Sequence, residues 1–448
     1  MTALEIVERL QNNGHAAYFV GGYVRGLLSG APPKDIDIST SASPEEILDL
    51  FSDRETKLVG KSFGVIFVDS VEVATFRKDR YFGMSDKNVE ITIGSLEDDA
   101  ARRDLTINAM YFDPFTEKIL DLHGGGADVR KKIVRFVGNP KERIFEDPNR
   151  IIRACRFRSN MKGTFDPDTF DALKNWSHLL ETYVAPERVR LEIFKALEAH
   201  DKSSGFFWSL QGIGGLRHIF PSLAECYGVP GGKFHNETIF DHNMYAGDSV
   251  SRKYPLVKLA AYLHDVGKVP MKRINPDTEE EWFEGHAEKG AEILEPNLRE
   301  LTFSNEEVSK ICNLVKFHMR ISTHMGPKAV RRLIRELAEV NLSWKELLAL
   351  YMADRHANLR LQREDHQISF YKSMVQKFWK ETRKKPAITS LKSLVVNGND
   401  IMEALSIPPG PRVGEVLNYL LDTILENPAM NEREALIYTA KKNFLKES

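Results

Sequence analysis

The chain has 448 residues, of which 42% are hydrophobic and 28% charged, with a formal net charge of −2. These values suit a soluble globular protein of roughly two to four domains. They exclude a strongly basic nucleic-acid binder, so any RNA contact must use a local basic face. No apolar run reaches the length of a membrane span. The opening stretch MTALEIVERLQNNGHAAYFV reads as an amphipathic helix without a basic n-region, so no secretory leader is expected. Three cysteines, Cys155, Cys226 and Cys312, are too scattered for a disulfide framework or a zinc site, which fits a reducing cytoplasm.

Tyr18 to Thr40 reads as strand, glycine turn, short helix, loop and second strand. Gly21-Gly22 leave bare N–H groups at a helix start, which suits phosphate, and Arg25 adds a cation one turn in. Asp35 and Asp37 alternate along the second strand. Its side-chain period of two puts both on one face, about 6–7 Å apart, a spacing suited to one or two Mg²⁺ ions. These parts together read as a phosphoryl- or nucleotidyl-transfer site.

Two β-rich runs follow in LVGKSFGVIFVDSVEVATFR, and Glu72 on the second is a candidate third carboxylate beside the metal. Lys78 to Gly94 is polar with little periodicity and is expected to be a loop. In LEDDAARRDLTINAMYFDP, Arg102 and Arg103 precede Asp104, and Asn108 lies one helical turn beyond it. A glycine turn is expected at Gly124 to Gly126.

Beyond Gly138 the pattern becomes helical. ERIFEDPNRIIRACRFRSN places Glu146, Asp147 and Arg150 at a helix start, with Asp147 and Arg150 on one side. An acceptor beside a fork of donors can read a base edge. VAPERVRLEIFKALEAH is a second helix whose Glu187, Arg188 and Glu192 would brace the first.

From about Lys233 the chain carries His242, the adjacent pair His264-Asp265, His286, His318 and Asp354, each interrupting an apolar helical face. Imidazole with carboxylate suits Mn, Fe, Co or Ni, and Mg at the carboxylates, and bridged metals would activate water against a phosphoester. Lys268 is a candidate phosphate contact. In KFWKETRKKPAI, basic residues around Phe378 and Trp379 are a candidate RNA-backbone contact.

These motifs, in this order, resemble the class II tRNA nucleotidyltransferase and bacterial poly(A) polymerase family. GGYVR with DID resembles the catalytic motif, ARRDLTINAM the RRDxxxNA motif, DLHGGGADV the DxxxG hinge, EDPNR the EDxxR nucleobase template, and PERVRLE the motif that supports it. The second half resembles an HD-type metal-dependent phosphohydrolase followed by a tail that contacts tRNA.

The resemblance implies an α+β nucleotidyltransferase head (residues 1–138), then an all-α neck (139–215), an HD body (216–360) and a tail (361–448). It implies an enzyme that adds all or part of CCA to tRNA from CTP and ATP. The alternatives are an A-adding or CC-adding specialist, a poly(A) polymerase, or an RNA-end phosphatase or cyclic phosphodiesterase acting through the HD part. Asp35 and Asp37 would hold Mg²⁺. Gly21, Gly22, Arg25, Arg103, Asp104 and Asn108 would bind the nucleotide, and Glu146, Asp147, Arg150 and Arg188 would serve base recognition. His242, His264, Asp265, His286, His318 and Asp354 would hold the HD metal. Two departures stand out: Gly26 follows Arg25 where the family has Asp, and FGMSDKNVEI lacks the basic RRP-like element of the family's loop.

Overall fold

The computed structural model describes residues 1–30, 36–59, 65–84, 89–274, 276–278, 280–322, 324–360, 364–383 and 391–445. Asp35 lies outside them. The chain divides into two compact units, Met1–Ala224 and Glu225–Ser448.

The first unit is built on a mixed seven-stranded sheet. Its strands are β1 (Ala17–Val20), β2 (Asp37–Thr40), β3 (Thr56–Val59), β4 (Val65–Val68), β5 (Val71–Thr75), β8 (Met110–Asp113) and β9 (Lys118–Asp121). They lie in the order β3-β4-β5-β2-β1-β8-β9. β2 and β5 are parallel, and the other neighbours are antiparallel. The helix Ala3–Asn12 starts at Thr2, whose hydroxyl accepts from the Glu5 N–H while the Glu5 carboxylate returns the bond to the Thr2 N–H. Its Ile6, Val7 and Leu10 pack with Phe19, Ile38 and Val73. Ile38 is therefore committed to the core, and the alternation of β2 turns Asp37 and Ser39 to the opposite face.

The stretch expected as a loop is a hairpin of two further strands, β6 (Arg77–Tyr81) and β7 (Val89–Ile93), paired from Arg77 with Ile93 to Tyr81 with Val89. Its charged residues concealed it: Arg77 and Asp79 alternate on one face and pair there at 3.0 Å. The expected glycine turn is also more ordered. Only Gly124 is left-handed (φ 75°), and Gly125 and Gly126 begin the helix Gly125–Lys131. The Asp121 carboxylate caps that helix by accepting from the N–H groups of Gly125 (2.8 Å) and Gly126 (2.9 Å). A β-carbon on Gly125 would lie 2.1 Å from the Thr106 carbonyl, so this helix packs directly on the turn Thr106–Asn108.

Among its described residues the second unit is helical apart from a two-residue ladder of Arg273–Ile274 with Glu281–Trp282 and a single bridge between Pro230 and Thr238. Ile239–Asp248, Pro255–Leu263, His286–Glu300, Asn305–Phe317 and Trp344–Ala357 are its main helices up to residue 357. Close approach fixes the first pair, since a β-carbon at Gly247 would fall 2.1 Å from the Tyr262 ring. The fully buried Lys258 donates to the Gly247 carbonyl at 2.9 Å and the Val250 carbonyl at 3.0 Å, satisfying the end of that helix. Gly398–Leu405, Pro411–Glu426 and Arg433–Phe444 close a further core around Ile401, Leu420 and Leu436. The fold class expected from the sequence is the one observed.

Candidate functional site

One face of the first unit's sheet opens into a cleft of about 690 Å³, lined by seven arginines and four aspartates among its polar residues. Gly21 stands at φ 61°, ψ −116°, a conformation open to glycine, where β1 turns into the helix Gly22–Ser29. Arg25 is one turn along and donates to the Asn108 side-chain carbonyl. Burial pushes the Arg25 guanidinium down to about 10, and nearby Arg156 and Arg153 push the same way against Asp104. The cleft is thus over-supplied with cations, an arrangement that a polyanion relieves.

Asp37 lines this cleft at the start of β2. Ile38 is in register with Val73 of β5, so Glu72 lies beside Asp37. Burial raises the Glu72 carboxyl, and the Asp37 charge adds to the rise. Asp35, the expected partner of Asp37, lies outside the described residues. Asp37 and Glu72 are hard oxygen donors on neighbouring strands, a donor set that suits Mg²⁺.

Arg103 is held by a residue that sequence reasoning left without a role. Asp99 is fully buried on the helix Leu96–Ala101. It accepts from Arg102 (2.5 Å), Arg103 (2.9 Å), Tyr111 Oη (2.6 Å) and Ser39 Oγ (3.4 Å). Burial would raise its carboxyl, yet Arg103 and Arg102 hold it down at about 2. The signal was legible, since Asp99 and Arg103 stand at i and i+4. Asp104 and Asn108 meet as expected, with Nδ2 of Asn108 donating at 3.0 Å. The stronger partner of Asp104 is Arg153, which donates through Nε at 2.9 Å and Nη2 at 2.7 Å. Burial opposes ionisation of Asp104, and Arg153 overrides it, holding the carboxyl well below the usual range.

Glu146, Asp147 and Arg150 do not share one helix start. Glu146 ends the helix Pro140–Glu146, Asp147 is extended, and the next helix begins at Asn149 after Pro148. Arg150 donates to Glu146 at 2.6 Å, to the Arg143 carbonyl at 3.1 Å and to the Arg102 carbonyl at 3.0 Å. Asp147 accepts from Arg188 at 2.7 Å and from the Asn149 N–H at 3.1 Å. Arg150 and Asp147 both line the cleft, each with its own brace. Of the expected braces, Glu192 pairs with Arg156 at 2.5 Å and Glu187 stays exposed.

The second unit gathers all six expected ligands. His264 Nδ1 faces the Ala261 carbonyl (2.8 Å), His286 Nδ1 the Phe283 carbonyl (2.7 Å) and His318 Nδ1 the Val315 carbonyl (2.6 Å). Each therefore keeps its proton on Nδ1 and turns the Nε2 lone pair inward. Nε2 of His242 and His264 lie 2.9 and 3.7 Å from Asp354 Oδ1. Nε2 of His286 and His318 lie 3.5 and 3.8 Å from Asp265 Oδ1. Asp265 Oδ2 is 3.4 Å from His264, so this carboxylate touches both halves of the group. Burial and neighbouring His264 push His318 down to about 3, which favours the neutral imidazole. The buried Nε2 of His264 makes no hydrogen bond of acceptable geometry. An inward-facing imidazole nitrogen without a donor, among buried carboxylates, fits divalent metal. Two neighbours were missed. Glu237 bonds Nδ1 of His242 at 3.0 Å, and His235 bonds Glu237 at 2.8 Å.

The aromatic pair of KFWK does not act as one surface. Phe378 is fully buried and stacked on Trp344 at 5.1 Å, while Trp379 is half exposed. The basic run 384–390 lies outside the described residues. Among the described residues no helix is long and apolar enough to cross a membrane.

Residues 17–135 match the family model of the Poly A polymerase head domain, and residues 286–440 that of tRNA nucleotidyltransferase domain 2. The CCA-adding enzyme of Ligilactobacillus salivarius is 31% identical over 449 residues, covering 98% of this chain and 96% of its own. The A-adding tRNA nucleotidyltransferase of Deinococcus radiodurans is 30% identical over 336 residues, covering 73% of this chain and 75% of its own. The crystal structure of Bacillus stearothermophilus CCA-adding enzyme in complex with CTP superposes with a TM-score of 0.65 and 26% identity, covering 98% and 96% of the two chains. A cleft that spans the head-domain match, in a chain alike from end to end with such a relative, leaves one assignment: this protein belongs to the CCA-adding enzyme and poly(A) polymerase family of nucleotidyltransferases.

Proposed function

We propose that this chain transfers nucleotides from CTP and ATP to the 3′ end of tRNA, building all or part of the terminal CCA. The observation that carries the reading is the surplus of arginine around Arg25 in a cleft lined by Asp37, with Glu72 beside it on the neighbouring strand. That combination suits a triphosphate with its metal. Asp37, with Asp35, would hold Mg²⁺, which supplies charge against the triphosphate and eases ionisation of the RNA 3′-hydroxyl. Gly21, Gly22 and Arg25 hold phosphates. Arg103, fixed by Asp99, and the Asp104–Asn108 pair position the sugar and phosphates. Asp147 offers an acceptor and Arg150 donors to the base, with Glu146 and Arg188 holding them still. A wrong base would leave these groups unpaired in a closed site, so UTP and GTP are rejected. Residues 1–138 act as catalytic head, 139–215 as a neck that reads the base, and 361–448 as a tail that grips tRNA.

The test uses one tRNA ending at the discriminator base and another ending in CC, with labelled CTP and ATP alone and together. Growth by C, C and A that then stops supports the full activity. A single A on the CC-ended tRNA alone makes the chain an A-adding specialist, and long A tracts make it a poly(A) polymerase. Absence of transfer, or transfer that survives Asp37→Ala, overturns the reading.

A second reading concerns residues 216–360. Four histidines turned inward on two aspartates suit a metal-dependent phosphohydrolase of the HD type, with Mn, Ni, Co, Fe or Mg as the ion. Metal-stimulated hydrolysis of bis(p-nitrophenyl) phosphate that is lost in Asp265→Ala supports it, and no metal-dependent hydrolysis by the wild type overturns it.

A further inference from the structure

Three of the inward histidines are oriented by the main chain, and the fourth is not. His264 and His318 cap the C-terminal ends of their helices and His286 opens its own, and Nδ1 of each faces the carbonyl three residues back. His242 is inside the helix Ile239–Asp248, whose carbonyls are taken. It is oriented by Glu237 instead, a 7% exposed carboxylate. Glu237 is saturated with donors. Oε2 accepts from the N–H groups of Asn236 (3.1 Å) and Leu359 (3.2 Å), and Oε1 meets Nδ1 of both His242 and His235.

His235 continues the line of contacts. Its Nδ1 proton goes to Glu237, so Nε2 is an acceptor, and it faces Lys268 Nζ at 3.5 Å. Lys268 reaches Asp265 at 2.6 Å. The contacts run from the ligand His242 through Glu237, His235 and Lys268 back to Asp265. His235 and Lys268 are part of the wall of the cavity of about 880 Å³ onto which Asp265, His286 and His318 open. An ammonium gripped by an acceptor on each side has its remaining N–H directed rather than free to rotate.

We propose that His235 is a positioning residue that aims Lys268 at the phosphoryl oxygens of a phosphoester, and that Glu237 is the common anchor of this arm and of the ligand His242. The proposal rests on the second reading above, that the histidine group is a metal-dependent phosphohydrolase centre. Binding of metal and binding of phosphate would then share one carboxylate.

The test uses the full chain, with Mn²⁺ alone for calorimetric metal binding, bis(p-nitrophenyl) phosphate for hydrolysis and inorganic phosphate as competitive inhibitor. His235→Ala is expected to leave the Mn²⁺ Kd within about twofold. It should raise both KM and the phosphate Ki about tenfold, the worth of one directed hydrogen bond to a charged group. His235→Gln keeps an acceptor that reaches Lys268 and is expected to recover most of that loss. Glu237→Gln is expected to weaken Mn²⁺ binding about 10–100-fold and to raise the Ki as well. An unchanged Ki in His235→Ala, no recovery in His235→Gln, or wild-type Mn²⁺ affinity in Glu237→Gln overturns the proposal while the hydrolase reading stands. Wild-type protein that binds no Mn²⁺ overturns both. Thermal melts show which variants fold, and if Glu237→Gln does not, the two His235 variants decide.

Discussion

Replacing Asp99 by asparagine keeps the side-chain volume and removes one buried charge. Asp99 accepts from two guanidinium groups, a phenol and a hydroxyl, so neutralising it removes the counter-charge that Arg102 and Arg103 share and leaves Arg102 with Asp79 at 3.7 Å. The cost follows from the carboxyl's displacement from 3.8 to about 2, which is roughly 2 kcal/mol at 1.36 kcal/mol per unit. Loss of one member of a buried ion pair costs about 3–5 kcal/mol, and the two arginines here are only 17–18% exposed. The variant should therefore lose about 2–4 kcal/mol, or roughly 5–10 °C in Tm for a unit of this size. The assay is urea unfolding of wild type and Asp99→Asn from pH 8 to pH 3. Because the folded carboxyl is depressed, its contribution is complete above the unfolded value of about 4 and lost as pH falls towards 2. The gap between the two proteins should stay flat from pH 8 to 5 and narrow only below about pH 4. A gap under about 1 kcal/mol at pH 7, or one that closes between pH 7 and 5, would refute the reasoning.

Three further outcomes are expected. Arg188→Ala removes the brace on Asp147 but breaks a pair that is 35% and 17% exposed, so stability should fall by less than about 1 kcal/mol. In the same variant, competition assays should find discrimination against UTP reduced about tenfold, and unchanged discrimination would exclude Asp147 from base reading. Gly247→Ala forces a methyl to 2.1 Å from the Tyr262 ring, and its urea midpoint should drop by the equivalent of about 3 kcal/mol or more. Protein dialysed against chelator should melt lower than protein given Mn²⁺, by about 2.7 kcal/mol at a hundredfold excess over Kd, and superimposable melts would deny a metal at His242, His264 and Asp265.

What the sequence disclosed depended on how far apart the interacting groups are. The turn at Gly21-Gly22 and the Arg102-Arg103-Asp104 run are local, so spacing placed them, and Asp37 opens the expected second strand. The six residues expected as ligands stood out because each breaks an apolar stretch, and the structure brings them together. Pairs that close across the fold were not. Arg153 with Asp104 spans 49 residues, and no periodicity links them. Glu237 precedes its helix in an irregular loop, five residues before His242, a spacing that matches neither helix nor strand. The β6–β7 hairpin was missed because β6 carries charged residues on both faces, while the alternation of Val89, Ile91 and Ile93 in β7 runs over only five residues. KFWK failed for the opposite reason: a local cluster looked like one surface, but Phe378 belongs to the core.

The crowding of Arg25, Arg153 and Arg156 reaches beyond catalysis. Burial first, and then Arg156 and Arg153, disfavour the Arg25 charge, and Asp104 offsets this only in part. Whatever anion enters the cleft offsets more of it. If the proposed function holds and that anion is a nucleoside triphosphate, resistance to heat and proteases should rise with its concentration, by about 2.7 kcal/mol at a hundredfold excess over Kd.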